Sequence, residues 1–409
     1  MRMYLRLAWR NVWRNRRRTI IALSAIGLGL AMLILMDGTI AGSKQATFGN
    51  AVKLEGGNVQ IHAPGFRERA QRLPLLPLND ANAAVRVALD RPEVIAVSRR
   101  IRTGGMVGSR EGAFPVVIIG IEPQQEAPAT LLAGKIVQGQ YLTASDEDVL
   151  LIGRTLADRL EVGVGDRVTL VGRATHEQTR RRTMTVGGIY DLKLPEVEKR
   201  MVYVSLAEAQ TLFDLRGQAT EVVVTLRHIG QEPQVVTALR AALPGYEVDS
   251  WLELNPSMNM AFAVNEQFMA IFGLVVLLVA GIGILNVLLM AVFERTREMG
   301  VIAALGLKQR NVLALFLLEG VLIGVLGALA GCVLGGLAVS YLGQVGFDIS
   351  TMAQASEMTA LMGERLYPRI EADLLMGRTL TIVVIAALAS LYPAWQASQR
   401  EPAEALHYV

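Results

Sequence analysis

Cysteine is nearly absent, with Cys332 standing alone among 409 residues. No internal disulfide can form, and no thiolate metal site can be built from one sulfur. Charge is sparse as well: 19% of residues are charged against 52% hydrophobic, a chain too apolar for one ordinary soluble domain. No Gly-x-x-x-x-Gly-Lys-Ser/Thr loop occurs, so the chain does not bind and hydrolyse ATP by itself. A Gly-x-Ser-x-Gly elbow is missing too, and "VGVGDRV" (162–168) lacks the third glycine of a dinucleotide fingerprint and opens a strand where a helix is needed. His62, His176 and His228 lack the spacing of metal ligands. Outside the N-terminal segment no basic patch is interleaved with aromatics in a way that would argue for nucleic acid.

What the chain does contain is four apolar runs. Residues 19–36 and 320–347 carry no charge, 268–293 hold only Asn286 as a strongly polar group, and 379–399 make the fourth. Each is close to the roughly 20 residues that cross a hydrocarbon core about 30 Å thick. The sequence thus predicts a membrane protein with four transmembrane helices, one and then three, and a large α+β extracytoplasmic domain between the first and second spans. The predicted spans are 19–40, 266–293, 312–343 and 377–397, with the domain at 41–265, connections at 294–311 and 344–376, and ends at 1–18 and 398–409.

Lys and Arg near the span ends set the orientation. Arg2, Arg6, Arg10, Arg14, Arg16, Arg17 and Arg18 precede the first span with no acid among them, which places the N-terminus in the cytoplasm. Four spans return the C-terminus there, and Arg295, Arg297, Lys308 and Arg310 mark the short loop between the second and third spans as internal. The large domain is then outside, periplasmic in a Gram-negative bacterium. A cleaved signal peptide ending near Thr39–Ala41 is the competing reading of the start, but the apolar run exceeds the usual span of about 7 to 15 residues. Leu5, Trp9, Val12 and Trp13 share one helical face while Arg2, Arg6, Arg10 and Arg14 line another, so the start reads either as a headgroup-lying helix or as a plain basic anchor.

Within 41–265, β-rich stretches at 58–62, 114–121, 166–171, 182–190, 200–205 and 221–226 alternate with helical ones at 79–90, 153–161, 205–214 and 231–243. "TRRRT" (179–183) reads as a solvated hairpin tip and "ASDEDV" (144–149) as a surface turn. In the third span Gly320, Gly324, Gly327, Gly331 and Gly335 fall on one helix face, a packing seam open either to another helix of this chain or to a second copy. Glu319 reads as an interfacial acid rather than a proton relay, and Pro393 should kink or end the fourth span.

Residues 294–305 predict a short helix with a charged start and an apolar end, which Gly306 stops. Such a helix lies in headgroups or in the groove of a partner. Here the sequence resembles a family. "ERTREMGVIAALGLKQRNVLALFLLEGVLIGVLGALAG" (294–331) and "YPAWQASQREPAEAL" (392–406) are similar to the membrane part of the ATP-binding-cassette permeases typified by the macrolide-efflux, lipoprotein-releasing and cell-division FtsX proteins, with the lipoprotein-releasing branch most similar. "GGNVQIHAPGF" (56–66) and "LEVGVGDRVTL" (160–170) resemble that family's periplasmic domain.

The resemblance implies a non-catalytic permease subunit of the bacterial inner membrane, working as a dimer with a second copy or a paralogue. A cytoplasmic ATPase dimer would bind ATP and magnesium, while this chain would hold no cofactor. The loop helix would dock on that ATPase through Arg295, Arg297, Glu298, Met299, Ile302, Leu305 and Leu307. The cargo would be a lipoprotein or lipid drawn from the membrane, entering beside Met32, Leu33, Met36, Phe268, Met269 and Phe272, whose flexible and aromatic side chains suit acyl chains but equally serve plain packing. The alternatives are efflux of a drug, haem or peptide through a periplasmic adaptor and outer-membrane channel, or signalling to a cell-wall hydrolase.

Overall fold

The computed structural model describes residues 2–174, 178–294, 308–349, 361, 365–370 and 372–399. Two compact units emerge: Met1–Lys44 with Phe262–Asp348 and Arg365–Val409, and Gln45–Ala261 with Ile349–Glu364. The described helices are α1 (Arg2–Arg14), α2 (Arg16–Glu55), α3 (Ala81–Leu89), α4 (Pro123–Glu126), α5 (Arg154–Leu160), α6 (Pro195–Glu198), α7 (Leu206–Phe213), α8 (Glu232–Ala242), α9 (Trp251–Leu254), α10 (Pro256–Glu294), α11 (Gln309–Val345) and α12 (Ala372–Gln399). Four of them, α2, α10, α11 and α12, are long and apolar enough to cross a membrane.

The Gln45–Ala261 unit is built on one mixed sheet. Its strands are β1 (Val59–His62), β2 (Val94–Gly108), β3 (Ala113–Ile121), β4 (Ile136–Gly139), β5 (Val149–Gly153), β6 (Arg167–Arg173), β7 (Thr179–Tyr190), β8 (Met201–Ser205), β9 (Glu221–Leu226) and β10 (Glu247–Ser250). They run in the order β10-β1-β9-β2-β3-β8-β5-β7-β4, with β6 bridging β2 and β7. Pairs β3–β8 and β5–β7 are parallel and the others antiparallel. Alternating apolar residues feed two cores. Ile118, Ile152, Leu170 and Val202 meet α5 and α7 through Leu156, Leu160 and Phe213, and Ile61, Val222 and Val224 meet α3 and α8 through Ala84, Ala88 and Leu239. Side-chain caps start α3, α7 and α9. Ser205 accepts from the Glu208 amide at 3.2 Å, and Ser250 with Glu253 forms a capping box.

Each of the helical and β-rich stretches read from the sequence in this unit contains an element. One reading changes and one element goes unread. Residues 179–183 are no hairpin tip but the start of β7, paired with β6 from Arg173↔Thr179 onward; Arg182 meets Glu208 at 2.8 Å and Arg180 meets Asp214 at 3.2 Å, so acids from neighbouring elements keep the arginines in the ladder. The longest strand, β2, is concealed in the sequence because Arg99, Arg100 and Arg102 interrupt its apolar pattern.

The two longest helices join this sheet side by side. α2 passes through Phe48, Ala51 and Val52, all buried against Trp251, and β1 begins four residues after its end. β10 leads through the single turn of α9 into α10, and β1 and β10 are hydrogen-bonded partners in the register Val59↔Ser250. The end of α2 is tightly specified. Gly56 has φ +83°, and a Cβ there would run into the guanidinium of Arg100. That guanidinium is buried and forms a two-point pair with Glu126, whose Oε1 also accepts from Ser98 Oγ at 3.0 Å. Burial works to lower the Arg100 pKa, but Glu126 outweighs it and holds the group above its ordinary value.

In the other unit, Ile26, Leu30, Leu33 and Ile34 of α2, Leu277, Ile284 and Leu288 of α10, Ile323 and Val339 of α11, and Ile382 and Ala386 of α12 form one core. Of the two outcomes expected at Pro393, an end is excluded: α12 runs through it to Gln399, with Pro393 buried. Glu319 is buried inside α11, 4% exposed.

Candidate functional site

The glycine seam closes within the chain. A Cβ on Gly327 would lie 2.7 Å from Ile26 Cγ2, one on Gly331 2.7 Å from Leu30 Cβ, and one on Gly335 2.9 Å from Ile34 Cβ, all on α2. Gly320 and Gly324 face Ser390 and Ala386 of α12 instead. One face of α11 therefore receives α12 with its first half and α2 with its second, at separations only glycine permits.

Polar pins fix α2 against its neighbours. Arg18 Nη1 lies 2.8 Å and Asn15 Nδ2 2.9 Å from Glu294 Oε2, at the last residue of α10. Lys44 Nζ lies 2.6 Å from Glu266 Oε1 and 5.8 Å from the centre of the Phe262 ring, near the start of α10. The two pins are about 39 Å apart along α2 at 1.5 Å per residue, close to the ~40–45 Å of a bilayer with its headgroups. Between them, Asp37 of α2 receives Arg378 of α12 in a two-point contact, 2.8 Å from Nε and 3.1 Å from Nη2. Gly273 of α10 makes room, since a Cβ there would lie 3.1 Å from Arg378 Nη1. Sequence reasoning misses these residues, although Asp37 directly follows the first uncharged run and Arg378 directly precedes the fourth, opposite charges at two span ends.

Of the residues expected to meet cargo, Met32 and Phe268 are exposed (54% and 69%), as is Phe272, while Met36 and Met269 are half-buried. Leu33 is buried in the bundle core. Arg295, Arg297, Glu298, Met299, Ile302, Leu305 and Leu307 lie outside the described residues. Among the described residues, no three His, Cys, Asp or Glu side chains gather in a metal-binding group.

One and then three long apolar helices, with a strand-rooted α/β unit inserted after the first, are the architecture of a multi-pass membrane protein. Residues 19–242 match the MacB-like periplasmic core domain and residues 270–402 the FtsX-like permease C-terminal domain. The chain belongs to this family of ABC-transporter permeases. It is 26% identical to the lipoprotein-releasing system transmembrane protein LolC of Xylella fastidiosa, over 81% of this chain and 82% of that one. The LolC of Neisseria meningitidis is also 26% identical, over 95% and 94%. The pyoverdine export ATP-binding/permease protein PvdT of Pseudomonas syringae pv. tomato is 24% identical over 98% of this chain, which spans 59% of PvdT. The periplasmic region of MacB from Actinobacillus actinomycetemcomitans superposes on 50% of this chain and 94% of its own, with TM-score 0.35 and 14% identity.

Proposed function

We propose that the chain is the permease subunit of an inner-membrane complex in which a separate cytoplasmic ATPase dimer, with its ATP and magnesium, drives the α/β unit on the periplasmic side to release lipoprotein or lipid from the membrane. The observation that carries this reading is the pairing of β1 with β10. The helix leading into one strand and the helix leading out of the other are two of the membrane-length helices, so an axial shift of either reaches a hydrogen-bonded ladder directly. No phosphate loop exists in the chain, so the energy comes from a partner. The partner grips the loop after Glu294 through Arg295, Arg297, Glu298, Met299, Ile302, Leu305 and Leu307, and Arg18 and Asn15 hold the helix end from which that loop departs. A second permease, a copy or a paralogue, completes the complex.

Lipoprotein release is favoured by the LolC similarity over nearly the full length of both chains. The test is co-expression with an ATP-binding-cassette ATPase from the same organism and reconstitution with a fluorescent lipoprotein. ATP-dependent release is expected, with Met299→Glu and Leu305→Glu abolishing both ATPase recovery and release. Intact assembly and coupling in those variants would remove the docking assignment, and alanine at Met32, Phe268 and Phe272 without effect on release would remove the proposed cargo surface. The similarity to PvdT supports export as a second reading; co-purification of a periplasmic adaptor, with no release of lipoprotein, would favour it.

A further inference from the structure

The chain enters its last long helix along a short extended segment whose position is set by glycines. β11 (Phe347–Asp348) follows α11 and pairs antiparallel with β12 (Arg365–Leu366). Beyond β12, a Cβ on Gly42 of α2 would run into the Tyr367 carbonyl, and one on Gly343 of α11 would lie 2.8 Å from the Pro368 carbonyl oxygen. The Arg369 amide donates to the Gly38 carbonyl of α2 at 2.9 Å. Backbone contacts with two helices therefore fix residues 367–369 before α12 begins at Ala372. A shallow cleft of about 10 Å³ lies between this segment, α2 and α12. Its charged lining is Asp37, Arg369 and Arg378. Asp37 is committed to Arg378, so the exposed Arg369 is a surplus positive charge. Asp373, in the first turn of α12, does not line the cleft. Ile34, Ile370 and Leu374 supply apolar walls.

The cleft stands where an uncovered apolar stripe ends. Leu329, Val333, Leu337 and Tyr341 of α11 recur every fourth residue and are each more than half exposed, as the lipid-facing side of a span should be. Val339 packs on Gly38, beside Asp37, so Tyr341 stands only about 3 Å along the helix from the level of the cleft. Phe347 and Tyr367 are exposed nearby in the chain. Aromatic rings gather at the level of lipid headgroups, where arginine side chains also reach phosphate. We propose that Arg369 holds the phosphodiester of a phospholipid of the surrounding bilayer, its guanidinium donating to two phosphate oxygens while the acyl chains rest on Ile370 and Leu374. The planar fork of arginine suits phosphate, and the one net positive charge of the Asp37, Arg369 and Arg378 set matches the single negative charge of a phosphodiester. A soluble anion would find the same charge but would leave exposed Ile370 and Leu374 bare. The cleft has room for about one oxygen atom, so the headgroup lies over it rather than inside it. The inference rests on these helices spanning a bilayer, not on which cargo the permease moves.

The test is native mass spectrometry of the full chain in detergent, titrated with phosphatidylglycerol, with diacylglycerol of the same acyl chains, and with glycerol phosphate. Retention of phosphatidylglycerol alone is expected. Arg369→Gln should weaken it about fivefold, the worth of one basic residue at a lipid surface, and Arg369→Lys should keep part of it. Arg110→Gln, in the turn between β2 and β3 of the inserted domain, should change nothing. A structure of the wild-type protein in phosphatidylglycerol nanodiscs needs no variant and should show phosphate density against Arg369. Diacylglycerol retained as well as phosphatidylglycerol would overturn the site while leaving the helices as membrane spans, and glycerol phosphate retained as well would make it a site for a free phosphate. Retention unchanged by Arg369→Gln, or no phosphate density at Arg369, would overturn it too.

Discussion

Asp37 and Arg378, 341 positions apart in the chain, meet through two parallel N–H···O contacts in a membrane-length helix pair, with a glycine of a third helix against the guanidinium. The side chains are 13% and 22% exposed, so little water competes for them. Asp37→Ala leaves a half-buried cation unpaired and is expected to cost about 1–3 kcal/mol. The double variant Asp37→Ala/Arg378→Leu should recover part of that loss, because removing both partners is gentler than removing one. Thermal unfolding of the four proteins of that cycle in one detergent checks it.

The glycine seam gives a second expectation. Gly331→Leu forces atoms into Leu30 and the Gly27 carbonyl oxygen, and should destabilise the bundle by about 2 kcal/mol or more. At Gly336, one residue beyond the seam, an added Cβ would meet nothing within 4 Å, so Gly336→Ala should be neutral or slightly stabilising. Equal loss in both variants, read from unfolding midpoints, would argue against the seam.

The junction between α2 and β1 gives a third. Gly56→Ala combines a left-handed backbone with a collision against Arg100, and is expected to cost about 2–4 kcal/mol. Gly65 has the same φ of +83° but nothing within 4 Å, so Gly65→Ala reports the backbone contribution alone. The difference between the two midpoints isolates the Arg100 contact.

Acid titration gives a fourth. Burial alone would raise the Glu221 carboxyl, but the His62 hydrogen bond and the nearby Arg102 and Arg100 charges outweigh it and hold the group below the usual carboxylate range. A carboxyl depressed in the folded state contributes stability above its unfolded value of about 4.3, lost as pH falls through the lower folded value. The melting temperature should therefore drop below about pH 4.3, and Glu221→Gln should flatten part of that drop. Asp191 and Glu253 are held low as well, so the remainder of the slope persists.

Much of this architecture is legible in the sequence, for reasons that differ by element. The four membrane helices announce themselves because lipid demands uninterrupted apolar length, and the glycine face because its spacing repeats with the helix. β2 is hidden because Arg100 is apolar-facing only by virtue of Glu126, 26 positions away, a partnership no local pattern contains. Similarly, the first span's apolar run ends near residue 36, while α2 continues to Glu55 on the strength of Phe48, Ala51 and Val52 packing on Trp251. Pro393 reads as a kink or a stop, and α12 continues through it where the ring is enclosed by its neighbours. The ion pairs of α2 escape notice because each joins segments far apart in the chain.

The side-by-side placement of β1 and β10 also bears on ancestry. A domain whose first and last strands are hydrogen-bonded neighbours has its entrance and its exit at a single doorway, so the flanking chain sees little more than a short detour. Recombination can replace such a domain with another of the same doorway while leaving the hydrophobic helices untouched, so one membrane bundle can carry different inserted domains.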